Sequence, residues 1–198
     1  MEPRFNKVVG IFGRRGSGKT DYLKGNPVHN IPGLMNKYPA RDMKVLIVDT
    51  IDHPSYREIP RITPEKLPYW KRGIYRLYDK KTVMPEMIEA ISNHVWNTLI
   101  VFEDAYKHQK KTLDSNVVDL ILDSKQKNLD IIFMYHAWIL APNDLYRLLD
   151  SIEVFKTKDT PEARKEQMAG YYEDAIQVHN EVMKHESSFY HKSLNTEL

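Results

Sequence analysis

The stretch GRRGSGKT at Gly13–Thr20 decides the fold, because it matches the phosphate-loop pattern G-x-x-x-x-G-K-[ST]. It follows the apolar run KVVGIF at Lys7–Phe12 and precedes a segment that we predict to be helical, which is the setting this pattern requires. Glycines in such a loop let backbone N–H groups turn inward toward phosphate oxygens. The sequence therefore predicts an ATP-binding site made by Gly13, Arg14, Arg15, Gly16, Ser17, Gly18, Lys19 and Thr20.

The last two residues of this phosphate loop carry its charge and its metal chemistry. Lys19 is expected to bridge the β- and γ-phosphates as a point charge, and the hydroxyl of Thr20 is expected to ligate Mg²⁺. Arg14 and Arg15 leave three interpretations open, since each side chain could clamp phosphate, face a neighbouring subunit or be solvated.

Short apolar runs rich in Val, Ile and Phe recur along the chain, and such runs are typical of strands buried on both faces of a parallel sheet. They are Lys44–Asp49, Leu99–Asp104, Asp130–His136 and Ile152–Thr157. The alternating run Gly73–Tyr78 is predicted to be an edge strand or hairpin arm. Apolar periodicity and capping signals predict helices at Pro85–Trp96, Ser115–Lys127 and Thr160–Glu186, the last of which Gly170 could break. Strands that alternate with helices predict an α/β three-layer sandwich with a mainly parallel central sheet.

The composition and length exclude several classes of protein. The absence of cysteine excludes disulfide scaffolds, thiolate metal sites and cysteine nucleophiles. No apolar run approaches the roughly 18 residues of a membrane span, and the first residues lack an apolar signal core, so we expect neither a transmembrane segment nor secretion. A length of 198 residues suits one domain, with a core of residues 1–160 and a C-terminal helix and tail of residues 161–198.

Two acids end the predicted strand LIVFED, and a carboxylate at the C-terminal tip of a parallel strand is suited to hold Mg²⁺ near a phosphate loop. By position, Glu103 takes the metal role and Asp104 polarises the attacking water as the general base. ATPases of this type usually carry Asp before Glu, so the reversed order leaves this division open, and a structural capping pair is the alternative. His136, which ends DIIFMYH, either contacts the γ-phosphate and orients water or is a partly buried structural residue.

Charge is distributed unevenly, although the net charge is only +2. The segment Arg61–Lys81 holds seven Lys or Arg residues against two acids, interleaved with Tyr69, Trp70, Tyr75 and Tyr78. A second basic cluster, made by Lys107, Lys110 and Lys111, follows the acid pair. Basic and aromatic side chains together suit a surface that follows a nucleic-acid backbone, and the alternative is a solvated face.

Four stretches in this order and spacing carry a family resemblance: GRRGSGKT, KVLIVDTIDHPSY, LIVFEDA and SKQKNLDIIFMYHAWILAPNDLYRLLDSIEVFK. Together they resemble the FtsK–HerA superfamily of DNA-translocating ATPases, and most of all its compact poxvirus-type genome-packaging members. The resemblance spans about Lys7–Lys158. It implies the RecA/FtsK-like branch of the P-loop NTPase fold, in which an additional strand separates the two motif strands. It also implies ATP hydrolysis with Mg²⁺.

The resemblance also implies site residues and partners. Lys19 and Thr20 would bind ATP and Mg²⁺, and His136 stands where the family usually has Gln. Arg147 matches a recurring arginine of the packaging members, and either Lys125 or Lys127 matches a basic residue before the fourth strand. The family works as hexameric or pentameric homo-oligomeric rings around double-stranded DNA. We therefore expect capsid or membrane proteins of a virion as further partners, and a location in the host-cell cytoplasm or on the virion.

Three other interpretations stay open at this stage. A filamentous-phage assembly ATPase resembling zonula occludens toxin proteins would usually carry a membrane span. A small nucleotide kinase would need an arginine-rich lid, which the sequence does not show. A nucleotide-gated adaptor would bind Mg²⁺ through the acid pair without turnover, and a turnover assay separates it from a hydrolase.

Overall fold

The computed structural model describes residues 6–49, 51–78, 84–105 and 112–196 of the chain. In these ranges eight strands form one sheet: β1 (Val8–Phe12), β2 (Lys44–Val48), β3 (Arg61–Ile62), β4 (Ile74–Leu77), β5 (Thr98–Phe102), β6 (Leu129–Tyr135), β7 (Ser151–Val154) and β8 (Lys192–Asn195). The α-helices here are α1 (Lys19–Lys24), α2 (Met84–His94), α3 (Ser115–Leu122), α4 (Ser124–Lys127), α5 (Lys165–Met168) and α6 (Tyr172–Lys184). Short 3₁₀ helices lie at Pro27–His29, Leu34–Lys37, Pro39–Arg41, Pro54–Tyr56, Pro64–Tyr69, Trp138–Leu140, Asn143–Arg147, Pro161–Arg164 and Ala169–Tyr171.

The sheet is mainly parallel, and its strand order is β3-β4-β2-β5-β6-β1-β7-β8. The pairs β1–β7, β2–β4, β2–β5 and β3–β4 are parallel, whereas β8 runs antiparallel to β7. The predicted α/β class with a mainly parallel sheet is therefore confirmed. Strand β6 lies between β1, which leads into the phosphate loop, and β5, which ends at the acid pair. This order is that of the additional-strand branch.

The strand that lies between β1 and β5 in the sheet is none of the three described strands that lie between them in the sequence. Strand β2, which comes from KVLIVD, pairs with the far side of β5 in the register Val45 to Leu99 and Val48 to Phe102. The intervening strand β6 comes later in the chain. Long parallel crossovers allow this order, because each strand enters the sheet from a separate helical connection.

The central strands are buried as their continuous apolar runs predict, and every residue of β5 and β6 is buried. The one charged residue of β6 is Asp130, which accepts hydrogen bonds from the backbone N–H groups of Asn6 and Lys7 and from the Tyr38 hydroxyl. These three donors satisfy the carboxylate, so its burial does not leave an uncompensated charge.

The chain divides into two compact units, each made of separated segments. The first unit holds the described residues of Met1–Lys7, Thr20–Glu103 and Asp114–Ile132. The second unit holds the described residues of Val8–Lys19, Asp104–Leu113 and Phe133–Leu198. Our expectation of a core that ends at residue 160 stays a prediction.

Two expectations about single elements need correction. Strand β4 is neither an edge strand nor a hairpin arm, because it lies between β2 and the two-residue strand β3 and runs parallel to both. The C-terminal helical segment is not continuous, because Ala169 adopts a φ of 41° and separates α5 from α6. The break thus falls one residue before Gly170, which was the expected position.

The C-terminal tail forms strand β8 on the edge of the sheet next to β7. Leu194 is its buried residue, while Ser193 donates a hydrogen bond from its hydroxyl to Glu153 Oε1 at 2.7 Å. In the described part of the chain, no helix combines the length and the apolar character needed to cross a bilayer.

Candidate functional site

The phosphate loop begins directly after β1, and the last residue of β1 belongs to a cluster of stacked aromatic rings in the second unit. The ring of Phe12 stacks on Trp138 at 4.4 Å and on Tyr135 at 5.5 Å between centroids. Directly after it, Gly13 N donates to Tyr135 O at 3.1 Å and Arg14 N donates to Lys156 O at 2.7 Å. These contacts fix the start of the loop between the ends of β6 and β7.

Glycine is required at three positions of the loop. Gly16 and Gly18 have φ values of 73° and 91°, in the region that side chains with a Cβ rarely adopt. At Gly13 a Cβ would lie 2.5 Å from Phe155 Cβ and 2.6 Å from Ser17 Oγ. The three glycines therefore let the backbone take the curved path predicted for a phosphate cradle.

Ser17 supplies an observation that tests whether this cradle fits a phosphate group. Its hydroxyl oxygen is buried in the loop and has no hydrogen-bond partner among the described residues. A buried hydroxyl without a partner is destabilising, and a phosphate oxygen is an acceptor that would satisfy it. The loop thus fits the triphosphate of a nucleotide in chemistry as well as in backbone shape.

Lys19 lies buried beneath the loop rather than in solvent. Its ammonium group donates to Gly13 O at 2.5 Å and to Arg14 O at 3.2 Å, and it lies 3.2 Å from His136 Nδ1. An ammonium group has three protons, so these three acceptors match its full donor capacity. The loop itself therefore holds the lysine that we predict to bind the β- and γ-phosphates.

His136 joins Lys19 to the second acid. Its Nε2 lies 2.7 Å from Asp104 Oδ1, while its Nδ1 faces the ammonium group of Lys19. Nδ1 must accept a hydrogen bond from that cation, so the ring proton belongs on Nε2, where it is donated to the carboxylate. The second unit thus brings together Lys19, His136 and Asp104, all predicted as catalytic residues.

The backbone at Asp104 explains the reversed order of the acid pair. Its φ of 49° lies in the left-handed region, where Asp and Asn are several-fold enriched among the non-glycine residues that occur there. Aspartate at this position therefore costs less strain than glutamate. The order Glu103–Asp104 places the residue that tolerates the left-handed conformation where the chain needs it.

Glu103, the first acid, lies in the first unit and contacts a residue that the sequence analysis missed. The hydroxyl of Tyr56 donates to Glu103 Oε2 at 2.8 Å and interacts electrostatically with the side chain of Thr20. Tyr56 is fully buried, and this burial, together with the negative charge of Glu103, raises the pKa of Tyr56 well above its usual range. The tyrosine thus stays protonated and links the two residues that we predict to hold Mg²⁺.

Tyr56 is held by the loop that follows β2. Asp49, at the end of that strand, accepts hydrogen bonds from backbone N–H groups of the loop, including His53 N at 3.0 Å. Arg76 lies buried behind it, with Nη1 at 3.1 Å from Asp49 Oδ2 and 2.7 Å from Asp52 Oδ1. The 3₁₀ helix Pro54–Tyr56 then brings the tyrosine under Glu103.

The oxygen donors of Thr20 and Glu103 suit Mg²⁺, which prefers hard oxygen ligands and is usually held by one or two carboxylates together with substrate phosphates. Within the described ranges, no group of three His, Asp or Glu side chains could hold a metal ion by itself. The donor set therefore fits a magnesium ion that arrives with the nucleotide.

The remaining predicted arginines lie on the surface. Arg14 and Arg15 are exposed on the loop, and Arg147 is exposed at the end of the 3₁₀ helix Asn143–Arg147. Arg147 makes no hydrogen bond or ion pair with any described residue, so the structure does not bring it to the cluster of Lys19, His136 and Asp104. Lys127 instead donates to Asp123 and to Ser92 O, and Lys125 is exposed.

The basic segment is less basic on its surface than its sequence predicts. Arg76 is buried in its ion pairs, and the aromatic residues Trp70 and Tyr78 are buried as well. Exposed positions are Lys66, Lys71, Arg72, Arg61 and Tyr69, whose side chain is 81% exposed. Lys80 and Lys81 lie outside the described residues, as does the second basic cluster of Lys107, Lys110 and Lys111.

Comparison with known proteins supports the fold through solved structures of low sequence identity. No family model matches the chain, and no curated protein matches it. Among solved structures, the genome packaging NTPase B204 from Sulfolobus turreted icosahedral virus 2 in complex with ATP-gammaS has a TM-score of 0.69 at 14% identity, covering 99% of this chain and 94% of that one. Its complex with AMP has a TM-score of 0.69 at 14% identity, covering 96% and 92%.

A third structure, of B204 described as the DNA-packaging ATPase from Sulfolobus Turreted Icosahedral Virus, has a TM-score of 0.69 at 16% identity and covers 99% of this chain and 94% of that one. The chain therefore has the P-loop NTPase fold that the phosphate-loop motif predicts. At this identity the likeness shows the fold alone, so the activity of this chain has to be argued from its own residues.

Proposed function

We propose that this chain is an ATP hydrolase that drives double-stranded DNA into a viral capsid as a homo-oligomeric ring of the FtsK–HerA type. The observation that carries the proposal is the linked set of Lys19, His136 and Asp104 at the phosphate loop. The likeness of the fold to viral genome-packaging NTPases supports the packaging role. On this proposal the chain acts in the host-cell cytoplasm or on the virion, with capsid or membrane proteins of the virion as partners.

Three residues of the second unit have separate roles in the proposed hydrolysis. On nucleotide binding, phosphate oxygens replace Gly13 O and Arg14 O as partners of Lys19, which then neutralises charge on the β- and γ-phosphates. The carboxylate of Asp104 accepts a proton from the attacking water, and the Nε2–H of His136 fixes the direction of that carboxylate. His136 thereby connects the phosphate-binding lysine to the base.

The residues of the first unit supply the metal ligands. Thr20 and Glu103 would hold Mg²⁺, which neutralises phosphate charge when it is bound with ATP. Tyr56 orients the carboxylate of Glu103 through its hydrogen bond and also interacts with the side chain of Thr20. This division assigns Glu103 to the metal and Asp104 to the water.

Two exposed features support the coupling of hydrolysis to DNA in a ring. Lys66, Lys71 and Arg72 are exposed next to Tyr69, which suits contact with a phosphate backbone. Arg147 is exposed and forms no ion pair with the part of the chain that the structure describes, which suits an arginine supplied to the ATP of a neighbouring subunit.

The test is steady-state Mg-ATP hydrolysis with and without duplex DNA over a range of protein concentrations, with Lys19→Ala as the blank. Turnover that rises with both DNA and protein concentration supports a translocating ring. Turnover that is the same with and without DNA contradicts translocation and indicates a general ATPase. Tight ATP binding without turnover contradicts hydrolysis and identifies the chain as a nucleotide-gated adaptor.

A further inference from the structure

The segment between α6 and β8 lies against the phosphate loop. It reads HESSFYH at His185–His191, and we call it the aromatic segment because four of its seven residues carry rings. Phe189 is the point of contact, since a Cβ built on Gly18 would lie 2.7 Å from Phe189 Cδ1 and 3.5 Å from Phe189 Cα. The phenyl ring therefore packs directly on the residue that precedes Lys19.

The aromatic segment is fixed at both ends and along its length. Helix α6 holds its start, and β8 holds its end through pairing with β7. Lys156 Nζ donates to His185 O at 2.5 Å, and Phe189 N donates to Ser187 Oγ at 3.2 Å. Strand pairing and hydrogen bonds thus hold the aromatic segment in place beside the phosphate loop.

Ring stacking also holds the aromatic segment in place. The rings of His185 and Tyr190 stack at 3.9 Å between centroids with an angle of 9° between their planes. The ring of His191 stacks on Phe155 at 4.6 Å, with an angle of 12°. Phe155 follows β7 and also lies against Gly13, so the aromatic segment and the loop share one packing partner.

The strand order gives the direction in which a bound nucleotide extends. His136 and Asp104 mark the γ-phosphate end of the site, and His136 follows β6, which lies on one side of β1. Strands β7 and β8 lie on the other side of β1. A nucleotide with its γ-phosphate toward His136 therefore extends its sugar and base toward the side where the aromatic segment lies.

We infer that the aromatic segment is the subsite for the purine base of the nucleotide, with Phe189 as the residue that determines its affinity. A purine is flat and apolar on both faces, and aromatic side chains stack on such faces in offset or edge-on arrangements. The half-buried rings of Phe189, Tyr190 and His191 offer this contact with little loss of conformational entropy. The inference rests on the proposed function, because it takes the phosphate loop as the site of a nucleoside triphosphate.

The test compares two probes by calorimetry in the presence of EDTA: ATP, which has a base, and inorganic tripolyphosphate, which has none. Phe189→Ala is expected to weaken ATP binding about tenfold, the order of one aromatic contact, and to leave tripolyphosphate binding unchanged. Phe189→Leu, which keeps an apolar contact with Gly18 but lacks a ring, should lose ATP affinity in the same way. Phe189→Trp should retain it.

The controls separate a base subsite from packing and from occlusion. Asn195→Ala removes an exposed side chain of β8 and should change neither affinity. If Phe189→Leu binds ATP like the unmodified chain, the residue serves packing only and the inference is wrong. If Phe189→Ala binds both probes more tightly, the segment occludes the loop, which also overturns it. If the unmodified chain binds neither probe, the proposed function itself fails.

Discussion

At Tyr56 a single hydroxyl contacts both residues that the sequence marks as magnesium ligands. The hydroxyl donates to Glu103 and interacts with Thr20 in a fully buried environment, where the loss of a hydrogen-bond partner is destabilising. A tyrosine in this position does not touch the reacting atoms. It acts through the two oxygen donors that we propose as ligands of the cation.

Tyr56→Phe is therefore expected to weaken the dependence of ATP binding on magnesium. Without the hydroxyl, Glu103 and Thr20 lose their common partner, and the gain in ATP affinity on adding Mg²⁺ should fall by about tenfold, as for the loss of a partner that orients a metal ligand. Stability should fall by about 1–2 kcal/mol. Nucleotide titrations with and without Mg²⁺ measure the first effect, and denaturant unfolding measures the second.

The matched control is Tyr171→Phe, which removes another buried hydroxyl, donated to Tyr146 O at 2.7 Å in the second unit. It should cost similar stability and leave the magnesium dependence unchanged. If both variants change the magnesium dependence equally, Tyr56 has only a structural role.

At His136 the hydrogen bonds require an acceptor toward Lys19 and a donor toward Asp104. A glutamine side chain offers both groups in one amide, whereas alanine offers neither. His136→Gln is thus expected to keep kcat within about tenfold, and His136→Ala to lower it by up to about 10²–10⁴, the contribution of the proton transfer to Asp104 that the imidazole orients. Equal losses in the two variants, measured as steady-state turnover, would show that the imidazole itself is needed.

At the scale of elements, the break between α5 and α6 stores strain in a non-glycine residue. Ala169 has a φ of 41°, and its amide donates to Lys165 O as the cap of α5. Ala169→Gly should raise the free energy of unfolding by up to about 1 kcal/mol, because glycine adopts positive φ without steric cost. The same change at Ala175, inside α6, should lower it by about 1 kcal/mol or more. Denaturant unfolding of the two variants checks the opposite signs.

Apart from Arg61 in β3, the exposed basic residues of this segment lie in the 3₁₀ helix Pro64–Tyr69 and directly after it. Replacing Lys66, Lys71 and Arg72 by alanine should lower the slope of log affinity against log salt for duplex DNA by up to about three, since each phosphate contact contributes about 0.9. Alanine at Lys125, Lys158 and Lys184 removes the same charge from other exposed positions and should leave the slope nearly unchanged. A triple variant with an unaltered slope would exclude this segment from the DNA surface.

At the scale of the whole molecule, the sequence predicts those elements whose residues form a recognisable local pattern. Strands β1, β2, β5, β6 and β7 come from apolar runs, and the phosphate loop comes from its glycines and Lys19. Strand β3 has two residues and β8 is mostly polar, so neither carries a periodic pattern. Tyr56 meets Glu103, and Phe189 meets Gly18, only through tertiary contacts, and the position of β6 between β5 and β1 depends on pairing between distant segments.

In the ring that we propose, the exposed Arg147 would be available to a neighbouring subunit, whereas the buried Lys19 serves its own chain. In head-to-tail contacts, each subunit offers one surface to the next, so an arginine on one subunit can complete the phosphate site of its neighbour. Lys19→Ala and Arg147→Ala should then each be nearly inactive when assayed alone. In an equal mixture, a subunit with Lys19 meets a neighbour with Arg147 at about one site in four, so about a quarter of the turnover should return.

The size of the assembly must stay the same for this comparison, and light scattering of each variant and of the mixture provides that control. Recovery on mixing requires that the two residues act on one ATP from different subunits. A mixture that stays as inactive as its components, with assembly intact, would show that Arg147 works within its own chain or not at all. Turnover of Arg147→Ala alone at the level of the unmodified chain would remove the arginine from the proposed mechanism.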